Sequence, residues 1–172
     1  MNECDCCNGA THEEVLSQIH RNIRDHEFHV VGVLAPEPWS YTVGLSSRGL
    51  PELVVTGLQT GLAHQLITSV GYALIEGCSL PDVADLADVQ LGPINVNHLR
   101  GNLVNMWREY FGYFLNGAFP EPVEFIQLKL GNSHLGFEEA KYQTDLSKPH
   151  TSLDRPSTRA GRWRHPHRRD AA

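Results

Sequence analysis

The hydrophobic positions near the start of the chain recur at intervals of three and four residues, which is typical of one face of a helix. These positions are Val15, Leu16, Ile19 and Ile23. Thr11 and Glu14 stand at the spacing of a capping box, in which the two side chains satisfy backbone donors at a helix start. The pattern therefore predicts a helix over residues 11–26.

Two segments with strand-like patterns predict a β-hairpin over residues 39–57. In the first segment, bulky residues alternate with Ser, Thr and Gly, and the bulky residues are Trp39, Tyr41, Val43 and Leu45. Alternation with period two places one set of side chains on one face of a strand. Residues 52–57 return after a short loop, so we expect them to pair antiparallel with residues 39–45. The four bulky residues should then face the core together.

Five further segments complete the predicted domain. Residues 28–34 and 123–130 are predicted strands, and residues 87–100 are predicted as extended chain bent at its Gly-Pro pair. Residues 59–76 and 102–115 carry amphipathic patterns that predict two more helices. Strands and helices do not alternate regularly along the chain. The fold class we expect is α+β, with a mainly antiparallel sheet packed against about three helices.

Length and charge indicate one domain with a tail. A chain of 172 residues builds one core, and no apolar stretch approaches the roughly 20 residues of a membrane-spanning helix. The net charge is −6, yet residues 147–172 contain seven Lys or Arg and only two Asp. We therefore divide the chain into a Cys-rich N-terminal segment at 1–10, an α+β globular domain at 11–145 and a disordered basic tail at 146–172.

The N-terminal segment carries the clearest metal-binding pattern. Cys4 and Cys7 have the two-residue gap that lets two thiolates reach one Zn²⁺, with Cys6 as a further ligand and His12 as the next candidate along the chain. The alternative is that these cysteines are exposed thiols on a loose terminus. A thioredoxin-type role is disfavoured because the predicted helix begins a turn too late to lower a thiolate pKa.

The same segment also bears on location. It has neither a basic start nor an apolar core, so it does not resemble a secretory signal. Free cysteines fit a reducing compartment. We predict a cytoplasmic protein.

The polar residues of the hairpin are the best candidates for a ligand site. We assign Tyr41, Thr42 and Glu52 to a small-molecule pocket near the hairpin, together with His98, which follows the predicted bend at the Gly-Pro pair. No Gly-x-Ser-x-Gly elbow and no phosphate-binding Gly-rich loop is present, so no catalytic residue is assigned.

The basic tail raises the question of nucleic acid. Its arginines surround Trp163, which combines phosphate-seeking charge with a ring that can stack on bases. The acidic body would repel a polyanion, so we do not expect nucleic acid as a partner. The expected partner is a small molecule or another protein, and no membrane contact is predicted.

The order of these features resembles the bacterial family called domain of unknown function 4262 over residues 4–142. The specific part is Trp39-Ser40-Tyr41-Thr42-Val43-Gly44-Leu45 followed by residues 51–58, PELVVTGL, which is similar to the central hairpin of that family. The family pattern then continues into a stretch with Asp and Trp, whereas Gln127-Leu128 here leads into KLGNSHLGFEEAKY. The resemblance implies a cytoplasmic α+β domain and brings no established activity.

Together these patterns favour a small binding or interaction module with a pocket near the hairpin. The alternative is a zinc-dependent hydrolase or transferase that uses the N-terminal cysteines and nearby histidines.

Overall fold

The computed structural model of the protein describes residues 9–33, 38–94, 107, 123–130, 143, 145 and 146. Its helices and strands have well-defined bounds in chain order. They are α1 (His12–His26), β1 (His29–Val33), β2 (Trp39–Val43), β3 (Glu52–Thr56), α2 (Thr60–Ile75), α3 (Leu80–Ala87), β4 (Val89–Pro93) and β5 (Phe125–Leu130), with a 3-10 turn at Leu45–Arg48.

The five strands form one sheet in the order β1-β2-β3-β5-β4. The predicted hairpin is confirmed, because β2 and β3 pair antiparallel with Tyr41 opposite Val54. The β1–β2 and β4–β5 pairs are also antiparallel, whereas β3 and β5 run parallel with Glu52 opposite Phe125. The predicted α+β class with a mainly antiparallel sheet is confirmed, and the described residues contain three α-helices.

Helices cover both faces of the sheet, so each residue of β2 and β3 is buried. One core cluster lies between the sheet and α1 and contains Ile19, Ile23, Trp39, Tyr41, Val43, Val54, Trp107, Phe125 and Leu146. The other lies beneath α2 and α3 and contains Phe28, Leu45, Leu53, Val55, Ile67, Val70, Leu74, Val83 and Leu128. Adjacent residues of a strand alternate between the two clusters because successive side chains point to opposite faces.

The predicted common face of the hairpin holds for three of its four bulky residues. Trp39, Tyr41 and Val43 all join the cluster on the α1 side. Leu45 joins the opposite cluster because it begins the 3-10 turn, where the period-two alternation of the strand no longer applies.

The start of α1 has the predicted capping box. The Thr11 backbone N–H donates to the Glu14 carboxylate at 2.7 Å, and the Glu14 N–H donates to the Thr11 hydroxyl at 3.2 Å. The short helix α3 was not predicted. Its sequence contains start signals, since Ser79 caps the Asp82 N–H and a proline occupies the first turn.

Several predictions fall outside the described residues. Of the predicted helix at 102–115, only Trp107 is described, and its side chain is buried. Residues 1–8 and 147–172 are not described, so the predicted bounds of the N-terminal segment and the tail stay predictions. Within the described residues, every helix is too short or too polar to cross a bilayer.

Candidate functional site at the end of the central hairpin

A wholly buried carboxylate lies where the hairpin opens into its loop. Glu52 is the first residue of β3 and has 0% of its surface exposed. Its Oε2 accepts a hydrogen bond from the Thr42 hydroxyl at 2.5 Å. The same hydroxyl oxygen accepts the Leu53 N–H at 2.8 Å, one step beyond the Tyr41–Val54 pair of the ladder. Thr42 therefore links the carboxylate to the end of the strand pairing.

The second oxygen of Glu52 collects donors from two distant parts of the chain. Oε1 accepts the backbone N–H of Gly44 at 3.0 Å and that of Ser46 at 3.1 Å. It also accepts the Ser46 hydroxyl at 2.7 Å and the indole N–H of Trp107 at 3.2 Å. With Thr42, five donors converge on one carboxylate. A buried carboxylate requires such partners, because its removal from water otherwise costs on the order of several kcal/mol.

The loop held by Glu52, residues 44–50, depends on a glycine at its start. Gly44 has φ +123°, a conformation that other residues rarely adopt. A Cβ there would lie 3.2 Å from the Glu27 carbonyl oxygen, the Ile23 side chain and the Phe28 Cα. Glycine thus lets this loop lie directly against the end of α1.

The outer side of this loop is polar and exposed. Ser47, Arg48 and Gly49 face solvent, and the Ser47 hydroxyl donates to the Gly44 carbonyl at 2.7 Å. The Arg48 guanidinium forms an ion pair with the Glu27 carboxylate, and these side chains are 44% and 45% exposed. An exposed pair of this kind contributes about 0–1 kcal/mol, so Arg48 is only weakly held by Glu27.

A second polar group connects β5 to the residues near position 145. The Gln127 side chain donates to the Thr56 hydroxyl at 3.0 Å and accepts the Leu146 N–H at 2.9 Å. Lys129 pairs with Asp145 at 2.6 Å. Leu146 is 3% exposed and belongs to the core cluster on the α1 side. The core of the protein therefore extends to Leu146.

The structure brings two of the four predicted ligand residues into direct contact. Thr42 and Glu52 are hydrogen-bonded to each other, and Tyr41 stacks on Trp39 with ring centroids 5.1 Å apart. Each of Tyr41, Thr42 and Glu52 has 0% of its surface exposed. His98 lies outside the described residues. The assignment of these residues to a ligand stays a prediction.

Three members of the Glu52 site were not predicted. Gly44 and Ser46 follow β2 within four residues. Both donate backbone N–H groups, which any residue type except proline possesses, and Ser46 adds its hydroxyl. Trp107 is separated from Glu52 by 55 positions. The amphipathic pattern of residues 102–115 indicates that some of its apolar side chains are buried, but no local pattern identifies the partner of the Trp107 indole N–H.

The predicted zinc site is only partly within the described residues. Cys4 and Cys7 are not described, and His12 is exposed in the first turn of α1. Among the residues that the structure describes, no three Cys, His, Asp or Glu side chains form a group able to hold a metal ion. The zinc assignment of Cys4, Cys7 and His12 stays a prediction.

Comparison with known proteins identifies the same family as the resemblance of the hairpin sequence does. The searches of curated proteins and of solved structures gave no match. A family model described as "Domain of unknown function (DUF4262)" matches residues 22–142, which include the whole hairpin and its Glu52 site. Because this match covers more than half of the chain, the protein belongs to the DUF4262 family.

Proposed function

We propose that this protein is a binding module that holds a small anionic molecule against the loop of residues 44–50. The observation that carries the proposal is the convergence of five hydrogen-bond donors on the buried carboxylate of Glu52. Two of these donors are backbone groups of the loop itself. The carboxylate thereby controls where the loop lies relative to the sheet.

Stability alone is a poor reason for such an arrangement. Replacing a buried charge and its partners with well-packed apolar side chains is often neutral or stabilising. The buried carboxylate of Glu52 is better explained by its hydrogen bonds to the N–H groups of Gly44 and Ser46, which fix the position of the loop. Binding residues are commonly found on loops that a rigid scaffold holds in place.

The exposed side of the loop suits a negatively charged ligand. Arg48 lies there with its guanidinium in an exposed pair with Glu27. A carboxylate or phosphate group can replace Glu27 at little cost, because guanidinium binds both groups through paired hydrogen bonds. In this proposal Thr42 and Glu52 support the loop from inside, and Tyr41 supports the strand that leads into it.

The other parts of the proposal rest on the sequence. His98 is retained as a ligand contact because it follows the predicted bend at the Gly-Pro pair in the sequence. The cytoplasm is retained as the location because the N-terminus does not resemble a secretory signal. A partner protein with an acidic segment would use the same arginine.

The test combines ligand identification with a matched pair of arginine variants. The purified full chain is denatured and released small molecules are identified by mass spectrometry, and thermal shifts are measured with millimolar citrate, inorganic phosphate and ATP. We expect at least one anion to raise the melting temperature. Arg48→Ala should abolish this shift, whereas Arg24→Ala, an exposed change in the last turn of α1, should retain it.

Two results would contradict the proposal. One is a protein that releases no small molecule and shows no thermal shift with any of the three anions. The other is an Arg48→Ala variant that binds the anion as tightly as the Arg24→Ala control.

A further inference from the structure

The strand β1 is an edge strand of the sheet in the described part of the chain. It pairs with β2, and no strand among the described residues pairs with its other side. Residues His29–Val33 are half-buried or exposed, whereas all residues of β2 and β3 are buried. The outward N–H and C=O groups of an edge strand are a template for another strand.

The sequence of β1 lacks the features that usually protect an edge. HVVGV contains no Lys, no acidic residue and no proline. Its pairing with β2 is regular from His29–Val43 to Val33–Trp39, so no bulge turns the edge away. Val30, Val31 and Val33 remain only partly buried against the two core clusters. Such a flat apolar edge is expected to be covered by another strand.

We propose that β1 pairs antiparallel with β1 of a second copy of this chain, across a two-fold axis at Val31. The two five-stranded sheets then form one continuous sheet. This inference does not depend on the proposed function, because it uses the outer side of β1 and none of the residues of the loop 44–50.

The side chains of β1 are complementary to those of the same strand running in the opposite direction. In this register Val31 faces Val31 of the second copy, Val30 faces Gly32, and His29 faces Val33. Each of these pairs is apolar or combines imidazole with an aliphatic side chain, and none opposes two like charges, which would be destabilising. Gly32 lies on the face covered by α2, where the Thr60 methyl already fills the position of a Cβ at 2.9 Å, so Val30 of the second copy would pack beside Thr60. An interface that uses one patch twice is the commonest form of homodimer.

The expected affinity is modest. A strand of five residues is about 17 Å long, so strand pairing alone buries less than the roughly 1,200–2,000 Å² of a standard stable interface. We therefore expect a dissociation constant in the micromolar range, roughly 1–100 μM.

The first measurement uses the unmodified full chain. Sedimentation equilibrium over about 1–500 μM should show a reversible equilibrium between monomer and dimer. A monomer across this whole range would overturn the proposal.

The second measurement uses the position of Val31 on the two-fold axis. Val31→Lys and Val31→Glu each place like charges opposite one another, so each homodimer should weaken by roughly tenfold or more. An equimolar mixture of the two variants should regain the dimer, because the opposite charges then face each other. Leu86→Lys adds the same charge on α3 at a residue that is 80% exposed, and this control should dimerise like the unmodified chain.

Hydrogen exchange tests the same interface in the unmodified chain, so its result does not depend on whether a variant folds. In the unmodified chain, dilution below the dissociation constant should speed exchange of alternate backbone amides in residues 29–33, since only the outward amides lie at the interface. Protection of all these amides independent of concentration would overturn the proposal, because other residues of the same chain would then cover β1. A dimer that persists undiminished in folded Val31→Lys would also overturn it.

Discussion

The hydroxyl of Thr42 donates to the carboxylate of Glu52 across 2.5 Å, and neither side chain exposes any surface. This contact joins the last part of β2 to the first residue of β3. It also leaves the Thr42 oxygen in position to accept the Leu53 N–H. The end of the hairpin is therefore closed by side chains in place of the main-chain ladder.

Replacing Glu52 with Gln should destabilise the protein. The amide keeps one accepting oxygen and replaces the other with an NH₂ group, so at least one of the five donors loses its acceptor. The remaining donors then bond to a neutral oxygen in place of a charged one, which weakens their hydrogen bonds. We expect the free energy of unfolding in urea to fall by about 2 kcal/mol. Glu124→Gln, an exposed change just before β5, is the control and should have little effect. Equal stability of the two variants would contradict the role assigned to Glu52.

Replacing Gly44 with Ala should also destabilise the protein, through the backbone. The residue has φ +123°, and the added Cβ meets three atoms at 3.2 Å. We expect a loss of about 2 kcal/mol in thermal or urea unfolding. Gly61→Ala is a matched control in α2, where a Cβ meets nothing within 4 Å, and it should be neutral or slightly stabilising. Similar results for both variants would show that the loop adjusts freely.

Removing the side chain of Leu146 should destabilise the domain. Leu146 is 3% exposed and packs in the core on the α1 side, so Leu146→Ala should lower the free energy of unfolding by roughly 2–4 kcal/mol. Leu86→Ala, at a residue that is 80% exposed, should change it by less than about 0.5 kcal/mol.

Two truncations test whether Leu146 is the last residue that stabilises the domain. Removal of residues 147–172 should leave the melting temperature nearly unchanged, whereas removal of residues 146–172 should lower it. A large drop in melting temperature on removal of residues 147–172 alone would show that the tail packs on the domain.

The capping box of α1 should make a pH-dependent contribution to stability. Hydrogen bonds from the Thr11 backbone N–H and then the Thr11 hydroxyl lower the pKa of Glu14 below its ordinary value. A lowered pKa in the folded state stabilises the fold above the unfolded-state pKa, and this stabilisation disappears as the pH falls through the folded-state pKa.

A comparison with Glu13 isolates this effect. Glu14→Gln should destabilise the protein at neutral pH more than Glu13→Gln does, although both changes remove a charge from the first turn of α1. The difference between the variants should diminish as the pH falls through the acidic range, measured by thermal unfolding at a series of pH values. A difference that is constant with pH would contradict the assignment.

Sequence patterns were sufficient where the determining contacts are local. The bounds of α1 follow from Thr11, Glu14 and an apolar stripe, and the hairpin follows from alternation and a short loop. Helix α3 was missed because eight residues provide too few repeats for a periodic pattern, although Ser79 marks its start.

The remaining features depend on contacts between distant residues. The parallel pairing of β3 with β5 joins Glu52 to Phe125, and the indole of Trp107 reaches the same carboxylate. Thr42 and Glu52 were identified as the important polar residues of the hairpin. Their complete burial was not expected, because alternation alone does not tell how many faces of a sheet are covered.

The position of β5 between β3 and β4 has a consequence for synthesis on the ribosome. β4 precedes β5 in the chain but lies outside it in the sheet, so neither β3 nor β4 gains its partner on that side until residues 125–130 have left the exit tunnel. The nascent chain must therefore carry an incomplete sheet through the translation of more than 30 residues after β4. Until then the backbone N–H and C=O groups on that side of β3 lack their partners in the sheet.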